Sequence, residues 1–138
     1  MPQIRSIHFI PINHIQLIWD RRIFRQAFFS IGRLWLFGGE HILYASDTHA
    51  VLDNGRLINR GKNIIIGEHV WIGLDVKILK NTFIPDNCIV GMGSIVTKKF
   101  TDPNCVIAGN PARVVKKGIN WDKKRPDIYE QDYNQKKM

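Results

Sequence analysis

The 138 residues hold only two cysteines and six prolines, and no apolar run comes near the length needed to cross a bilayer. Cys88 and Cys105 are too few for a disulfide-stapled scaffold and lack the CxxC spacing of a zinc site, so reduced thiols in the interior are expected. The apolar runs at the front are broken by Arg5, His8, Asn13 and Asp20. That excludes a membrane span of about 20 residues, and the first thirty residues show neither the unbroken apolar core nor the small-residue cleavage site of a secretory signal. A cytoplasmic protein of one domain, or of somewhat less than one complete functional unit, is the expectation. No HxxxxH pair occurs, and His41, His49 and His69 stand eight and twenty residues apart. This spacing argues against the three-histidine zinc centre of a γ-type carbonic anhydrase, and no metal is expected.

Acidic residues are also scarce: 12 Asp and Glu face 20 Lys and Arg, a net charge of +8. The excess lies at the ends. Residues 1–30 carry +3, residues 31–112 carry +1, and residues 113–138 carry +4. A nucleic-acid module would need basic residues interleaved with aromatics along one face, and the nearly neutral middle argues against it. A basic end also suits a small polyanion such as a nucleotide cofactor.

What is abundant is a period of six. Counting from Ile66 in sixes gives Ile66, Ile72, Ile78, Ile84, Val90 and Val96, aliphatic at every step. Ile, Leu and Val make up 37 of the 138 residues, so a run of six at a chosen register arises by chance less than roughly one time in a thousand. Four residues after successive anchors come Val70, Val76, Thr82, Cys88 and Ser94, all small or β-branched. Gly67, Gly73, Pro85 and Gly91 follow four of the anchors, as in a chain that bends after every short strand. A helix would repeat at 3.6 and a lone strand at 2; a period of six with small corners predicts a parallel β-solenoid.

The register reaches upstream through Ile31, Phe37 and Leu43 and then fades. The solenoid is therefore expected to start near Ser30 and to run over 31–113, with 1–30 as a cap and 114–138 as a basic tail. Residues 14–28 read either as an amphipathic helix with Ile15, Ile18, Trp19 and Ile23 on one side or as irregular first coils; capping the open end is favoured over lying on a membrane. Polar, glycine-containing sequence over 50–63 interrupts the period and reads as a loop inserted into one coil. Such excursions sit on one face and often carry function.

Three motifs in order, Ile66-Gly67-Glu68-His69-Val70-Trp71-Ile72-Gly73, then Val90 to Lys98, then Ala108-Gly109-Asn110-Pro111-Ala112-Arg113, together with Ser46-Asp47-Thr48-His49, closely resemble the hexapeptide-repeat acyltransferases. The resemblance covers about residues 31–116 and is nearest to the galactoside, maltose and polysaccharide O-acetyltransferase branch. It implies an all-β fold, a left-handed parallel β-helix, assembled as a homotrimer with acetyl-CoA in grooves between subunits.

Transfer of an acetyl group from a thioester needs a base for the attacking hydroxyl, a donor for the developing oxyanion and a groove for the acyl donor. His49 matches the family's catalytic histidine and stands at the edge of the inserted loop; imidazoles as a class titrate near neutral pH. The plainer reading is a polar loop histidine. His69 occupies a repeat position beside Trp71 and could face a neighbouring subunit, while His8, His14 and His41 lie in or near the irregular front. Asp47 could orient His49, bond an acceptor hydroxyl or simply form a turn. Trp71 matches a family tryptophan near the thioester and could equally fill a subunit contact. By the same resemblance, backbone groups at Leu74 and Met92 pair with the pantetheine amides, and Thr97, Lys98, Arg113 and Lys116 face the adenosine phosphates. Lys99 and Lys117 would add to the field, and Lys123, Lys124, Lys136 and Lys137 would form a solvated tail. Asn110-Pro111 marks the turn that leaves the last coil and sets Arg113 in place.

The front is shorter than in relatives, which place more coils or a helical domain before the histidine segment. Acceptor identity is therefore unreadable beyond a sugar or other small hydroxyl compound. A xenobiotic acetyltransferase acting on an antibiotic uses the same residues, and a truncated, non-catalytic trimeric β-helix protein is the rival from a different class.

Overall fold

The computed structural model describes residues 8–12, 15–19, 29–31, 36–37 and 41–138 except 48, with side chains from residue 42 onward. The chain is mostly β. Its strands are β1 (His8–Ile12), β2 (Ile15–Trp19), β3 (Phe29–Ile31), β4 (Leu36–Phe37), β5 (His41–Tyr44), β6 (Leu52–Asp53), β7 (Arg56–Leu57), β8 (Ile64–Ile66), β9 (Trp71–Ile72), β10 (Lys77–Leu79), β11 (Thr82–Ile84), β12 (Ile89–Val90), β13 (Ile95–Val96), β14 (Cys105–Gly109) and β15 (Ala112–Lys117), followed by helix α1 (Pro126–Lys137).

Three sheets hold the repeat, with strand orders β1-β2-β5-β10-β13, β11-β8-β3 and β15-β14-β12-β9-β4. From β8 to β13 the chain enters the second, third and first of these in turn, and then repeats the circuit. Within each sheet the parallel partner lies eighteen residues on: Ile66 pairs with Ile84, Ile72 with Val90 and Ile78 with Val96. Six residues are thus one strand plus one corner, and three such steps return the chain to the same sheet. Upstream, Ile31, Phe37 and Leu43 pair with Ile66, Ile72 and Ile78. These partners are thirty-five residues apart, and the seventeen extra residues are the excursion carrying the antiparallel β6–β7 hairpin.

The two registers of the sequence line the interior. Ile66, Ile72, Ile78, Ile84, Val90 and Val96 are buried, and so are the corner residues Val70, Val76, Thr82, Cys88 and Ser94. Burying each bulky anchor contributes about 1.5–3 kcal/mol, which suffices to hold strands only two or three residues long. Cys88 and Cys105 are free and buried, and burial pushes the Cys88 thiol above its ordinary value, so it packs as a small hydrophobe.

The glycines after the anchors serve a different purpose from the expected bend. A Cβ on Gly73 would stand 2.7 Å from the backbone nitrogen of Met92, and one on Gly67 would stand 2.8 Å from that of Asp86. Close approach between successive turns of the chain therefore demands glycine there. The bend itself falls two residues later, at His69, Asp75, Asn81, Asn87 and Gly93, all at positive φ. Asn, Asp and His tolerate that left-handed backbone better than most side chains, which explains their recurrence every sixth position.

At both ends the elements extend beyond residues 31–113. Ile15–Trp19 is strand, not the start of a helix, because it pairs with β1 on one side and runs parallel to β5 on the other; an available sheet edge overrides a weak amphipathic pattern. The sheets thus take in residues upstream of the anticipated start, while residues 20–28 and His14 lie outside the described ones. The C-terminus is not simply a solvated tail. β15 folds back antiparallel on β14 across Asn110-Pro111, whose peptide is cis, and α1 begins with Pro126 and Asp127 and ends with Lys136 and Lys137, a start and charge distribution that suit a helix. None of its residues is buried. Among the described residues, no helix is long and apolar enough to cross a membrane.

Candidate active site

His49 stands on the surface where the chain leaves β5 for the β6–β7 excursion. Its main chain is held on both sides: its N–H donates to the Asp47 carbonyl at 2.7 Å, and its own carbonyl accepts from the Asn59 side-chain amide at 2.8 Å. Asn59 also donates to the Asp47 carboxylate (3.0 Å) and accepts from the Val51 N–H (2.7 Å). One amide side chain on the returning arm therefore clamps the departing arm. Among the described residues no hydrogen bond engages the His49 ring, and the residue is exposed.

Asp47 is occupied otherwise than with the His49 ring. Lys80 Nζ donates to its carboxylate at 2.5 Å and also reaches the Asn59 carbonyl at 3.3 Å. The Lys80 bond holds the Asp47 carboxyl below its ordinary value, opposed by partial burial and assisted by Asn59. Its folded-state value is depressed, so this contribution is present at neutral pH and lost as the pH falls through that value. The pair is partly exposed, at 22% for Lys80 and 44% for Asp47, so Lys80→Ala should cost no more than about 1 kcal/mol at pH 7. Urea unfolding at pH 7 and pH 3 checks this, with the gap between variant and wild type closing at the acid pH; an equal gap at both would show that the ion pair is not its source.

Trp71, in β9, is exposed on a different sheet from β5, the strand that leads to Asp47 and His49. Trp121, which sequence analysis did not single out, lies beside it with ring centroids 6.1 Å apart. Trp121 stacks flat on His69, 4.0 Å between centroids and 8° between planes, and its indole N–H donates to the His69 carbonyl at 2.8 Å. His69 Nδ1 lies 3.0 Å from Asn87 Oδ1, within hydrogen-bonding distance. Further along the same corner the Ile119 N–H donates to the Asn104 carbonyl at 2.9 Å. The segment after β15 therefore runs back along a corner built from Asn104, Asn87 and His69, and delivers Trp121 to Trp71. His69 serves this docking within one chain.

The remaining candidates fall into three places. Leu74 and Met92 are both exposed and occupy equivalent positions on successive turns; the Leu74 carbonyl accepts from the Gly93 N–H at 2.8 Å. Ser94 secures this edge, donating to the Gly91 carbonyl (2.6 Å) and accepting from the Gly109 N–H (3.1 Å). Thr97 and Lys98 follow β13, with Lys98 Nζ 5.1 Å above the Phe100 ring. Arg113 and Lys116 both lie in β15, exposed, with Arg113 donating to the Ala112 carbonyl at 3.2 Å. Lys117 pairs with Asp102 at 2.8 Å and Lys124 with Asp132 at 2.6 Å.

No protein-family model matches the chain. Over 97 residues, 69% of its length, it is 45% identical to the polysialic acid O-acetyltransferase of Neisseria meningitidis, a match covering 45% of that protein. Over 85 residues, 62% of its length, it is 41% identical to the galactoside O-acetyltransferase of Escherichia coli strain K12, covering 39% of it. The solved structure of the polysialic acid O-acetyltransferase OatWY superposes with a TM-score of 0.70 and 33% identity, over 88% of this chain and 63% of that one. The chain thus spans less than half the length of these two curated relatives.

Proposed function

Because the homologues of this chain are sugar-modifying O-acetyltransferases of the hexapeptide-repeat type, we propose that it transfers an acetyl group from acetyl-CoA to a hydroxyl of a saccharide or similar small acceptor. The observation that carries this reading is the presentation of His49: an exposed imidazole on a main chain clamped by Asp47 and Asn59. The imidazole takes the proton of the acceptor hydroxyl as that oxygen attacks the thioester carbonyl. The C–S bond breaks, and the proton passes from the imidazolium to the departing sulfur, leaving an acetyl ester and a free thiol. No covalent enzyme intermediate is required.

In this proposal residues 31–113 form a left-handed β-solenoid, and three copies assemble with sites between them. The separation of His49 and Trp71 onto different sheets of one chain supports a site completed by a second copy. Leu74 and Met92 offer backbone groups to the pantetheine arm, Thr97, Lys98, Arg113 and Lys116 face the phosphates, and Asp47 and Trp71 face the acceptor. Two free, buried cysteines suit a reducing compartment such as the cytoplasm.

Calorimetric titration with acetyl-CoA at two salt concentrations tests the reading. Wild type should bind in the micromolar to low-millimolar range, more weakly at high salt. The Lys98→Ala, Arg113→Ala double variant should lose about tenfold, roughly 1.4 kcal/mol. Absence of binding by the folded protein would replace the enzyme with a non-catalytic solenoid.

A further inference from the structure

Residues 49–58 of the excursion are exposed throughout, including Val51, Leu52, Leu57 and Ile58. Burial within the chain therefore does not fix its course at His49. Polar contacts do. Asn59, half-buried on the returning arm, donates its two amide protons to the Asp47 carboxylate and the His49 carbonyl, and its Oδ1 accepts from the Val51 N–H. The whole hydrogen-bonding face of that amide is thus spent on three alternate residues of the departing arm, with His49 in the middle. The Ile58 N–H adds a main-chain bond to the Val51 carbonyl at 3.0 Å. A second tie comes from the next turn of the chain. β10 pairs with β5 as far as Leu79 and Tyr44, which brings Lys80 to the mouth of the excursion. Its Nζ there reaches one acceptor on each arm, the Asp47 carboxylate and the Asn59 carbonyl.

From this arrangement we infer, on the acetyltransferase reading, that Asn59 and Lys80 are positioning residues for the His49 base. Asn59 sets the main chain at residue 49, and Lys80 ties Asn59 and Asp47 to the sheet that β5 and β10 share. Both act through His49. The chemistry of the clamp calls for asparagine. An aspartate of the same shape has no side-chain N–H to donate and would set its charge against the Asp47 carboxylate and the His49 carbonyl; a glutamine carries the same groups one methylene further out. A displacement of about 1 Å in a catalytic group can lower a rate about a hundredfold, so a clamp of individually modest, exposed hydrogen bonds can matter far more to turnover than to folding.

The test joins a kinetic cycle to an exchange measurement, both on the full chain. kcat and KM are determined with acetyl-CoA and maltose, a galactoside, a sialic acid oligomer or chloramphenicol for wild type, Asn59→Ala, Asn59→Asp, Lys80→Ala and Lys80→Arg, each also in a His49→Ala background. Both Asn59 substitutions should lower kcat about ten- to a hundredfold, with the calorimetric Kd for acetyl-CoA held within about twofold of wild type. Lys80→Ala should lower kcat in the same direction, and Lys80→Arg, which keeps the charge and the N–H donors, should restore part of it. In the His49→Ala background the Asn59 and Lys80 substitutions should change the residual rate less than about twofold, because no base is left to position. A purely structural role would lower the rate in both backgrounds alike. Amide hydrogen exchange at His49 and Val51 should quicken about fivefold or more in Asn59→Ala while the amides of β8, β9 and β10 keep their protection, which also establishes that the variant is folded. Unchanged exchange at those two amides, kcat of folded Asn59→Ala within twofold of wild type, or equal losses in the two backgrounds would each overturn the inference and leave the enzyme standing. Wild type that binds no acetyl-CoA and turns over no acceptor overturns the enzyme and the positioning role together, and the exchange data then show whether the clamp persists as structure alone.

Discussion

Replacing His49 with alanine should lower the rate of acetyl transfer by about a hundred- to ten-thousand-fold, the range expected when a positioned general base is removed. The reason for expecting a clean loss is structural. Every hydrogen bond found at residue 49 among the described residues is made by its main chain, to the Asp47 carbonyl and from the Asn59 amide. Alanine retains both, so the excursion should keep its course while the imidazole alone disappears. The measurement is kcat/KM with acetyl-CoA and a panel of acceptors that includes maltose, a galactoside, a sialic acid oligomer and chloramphenicol. Acetyl-CoA affinity is determined in parallel, and it should hold within about twofold of wild type. A fall in rate of less than fivefold would remove His49 from the role of base.

The second large effect concerns the interior. Ile78→Ala should destabilise the protein by about 2–5 kcal/mol, because the side chain is fully buried and neighbours relax only partly into the space a truncated residue leaves. Ile78 pairs in register with Leu43 on one side and Val96 on the other, so the vacancy lies inside a stack where three successive turns of the chain meet. Ile95, one residue before Val96, points the opposite way and is only half buried. Ile95→Ala should cost clearly less in urea unfolding of the isolated chain. If the two alanine variants lost equal stability, the inside–outside assignment of the repeat would be wrong. These comparisons must be made at one protein concentration, since assembly would add a mass-action contribution.

Much of this architecture was legible beforehand, and for a local reason. In a strand successive side chains face opposite ways, so a chain that repeats strand and corner every six residues must place aliphatic residues at one fixed phase. Ile66 to Val96 display that phase openly, and so do the corner residues Val70 to Ser94. The turn residues His69, Asp75, Asn81 and Asn87 recur as a polar position three after the anchor, and the glycines one after it. What requires glycine is the Met92 backbone nitrogen on the next turn, 2.7 Å from where a Cβ on Gly73 would stand, and no linear pattern carries that contact.

The candidate site was less legible. His49 and Trp71 could be marked as residue types in matching motifs, yet nothing in the linear order joined Lys80 to Asp47 or Asn59 to His49. Those partners are separated by thirty-three and ten residues, and they meet because β10 pairs with β5 while the excursion returns beside it. Trp121 was further hidden, fifty-two residues from the His69 carbonyl it bonds, in a stretch whose composition suggested only a solvated basic tail.

The amino-acid sequence by itself determined the repeat, its interior and the chemistry offered at each corner, since these depend on strand alternation and on which side chains tolerate a left-handed bend. Only the tertiary structure decided that Ile15–Trp19 is strand, that the C-terminal segment docks along a corner, and which distant side chains share a site. Those outcomes depend on which sheet edge or ring is left free after the turns stack, and a free edge or ring exists only once the chain has closed on itself.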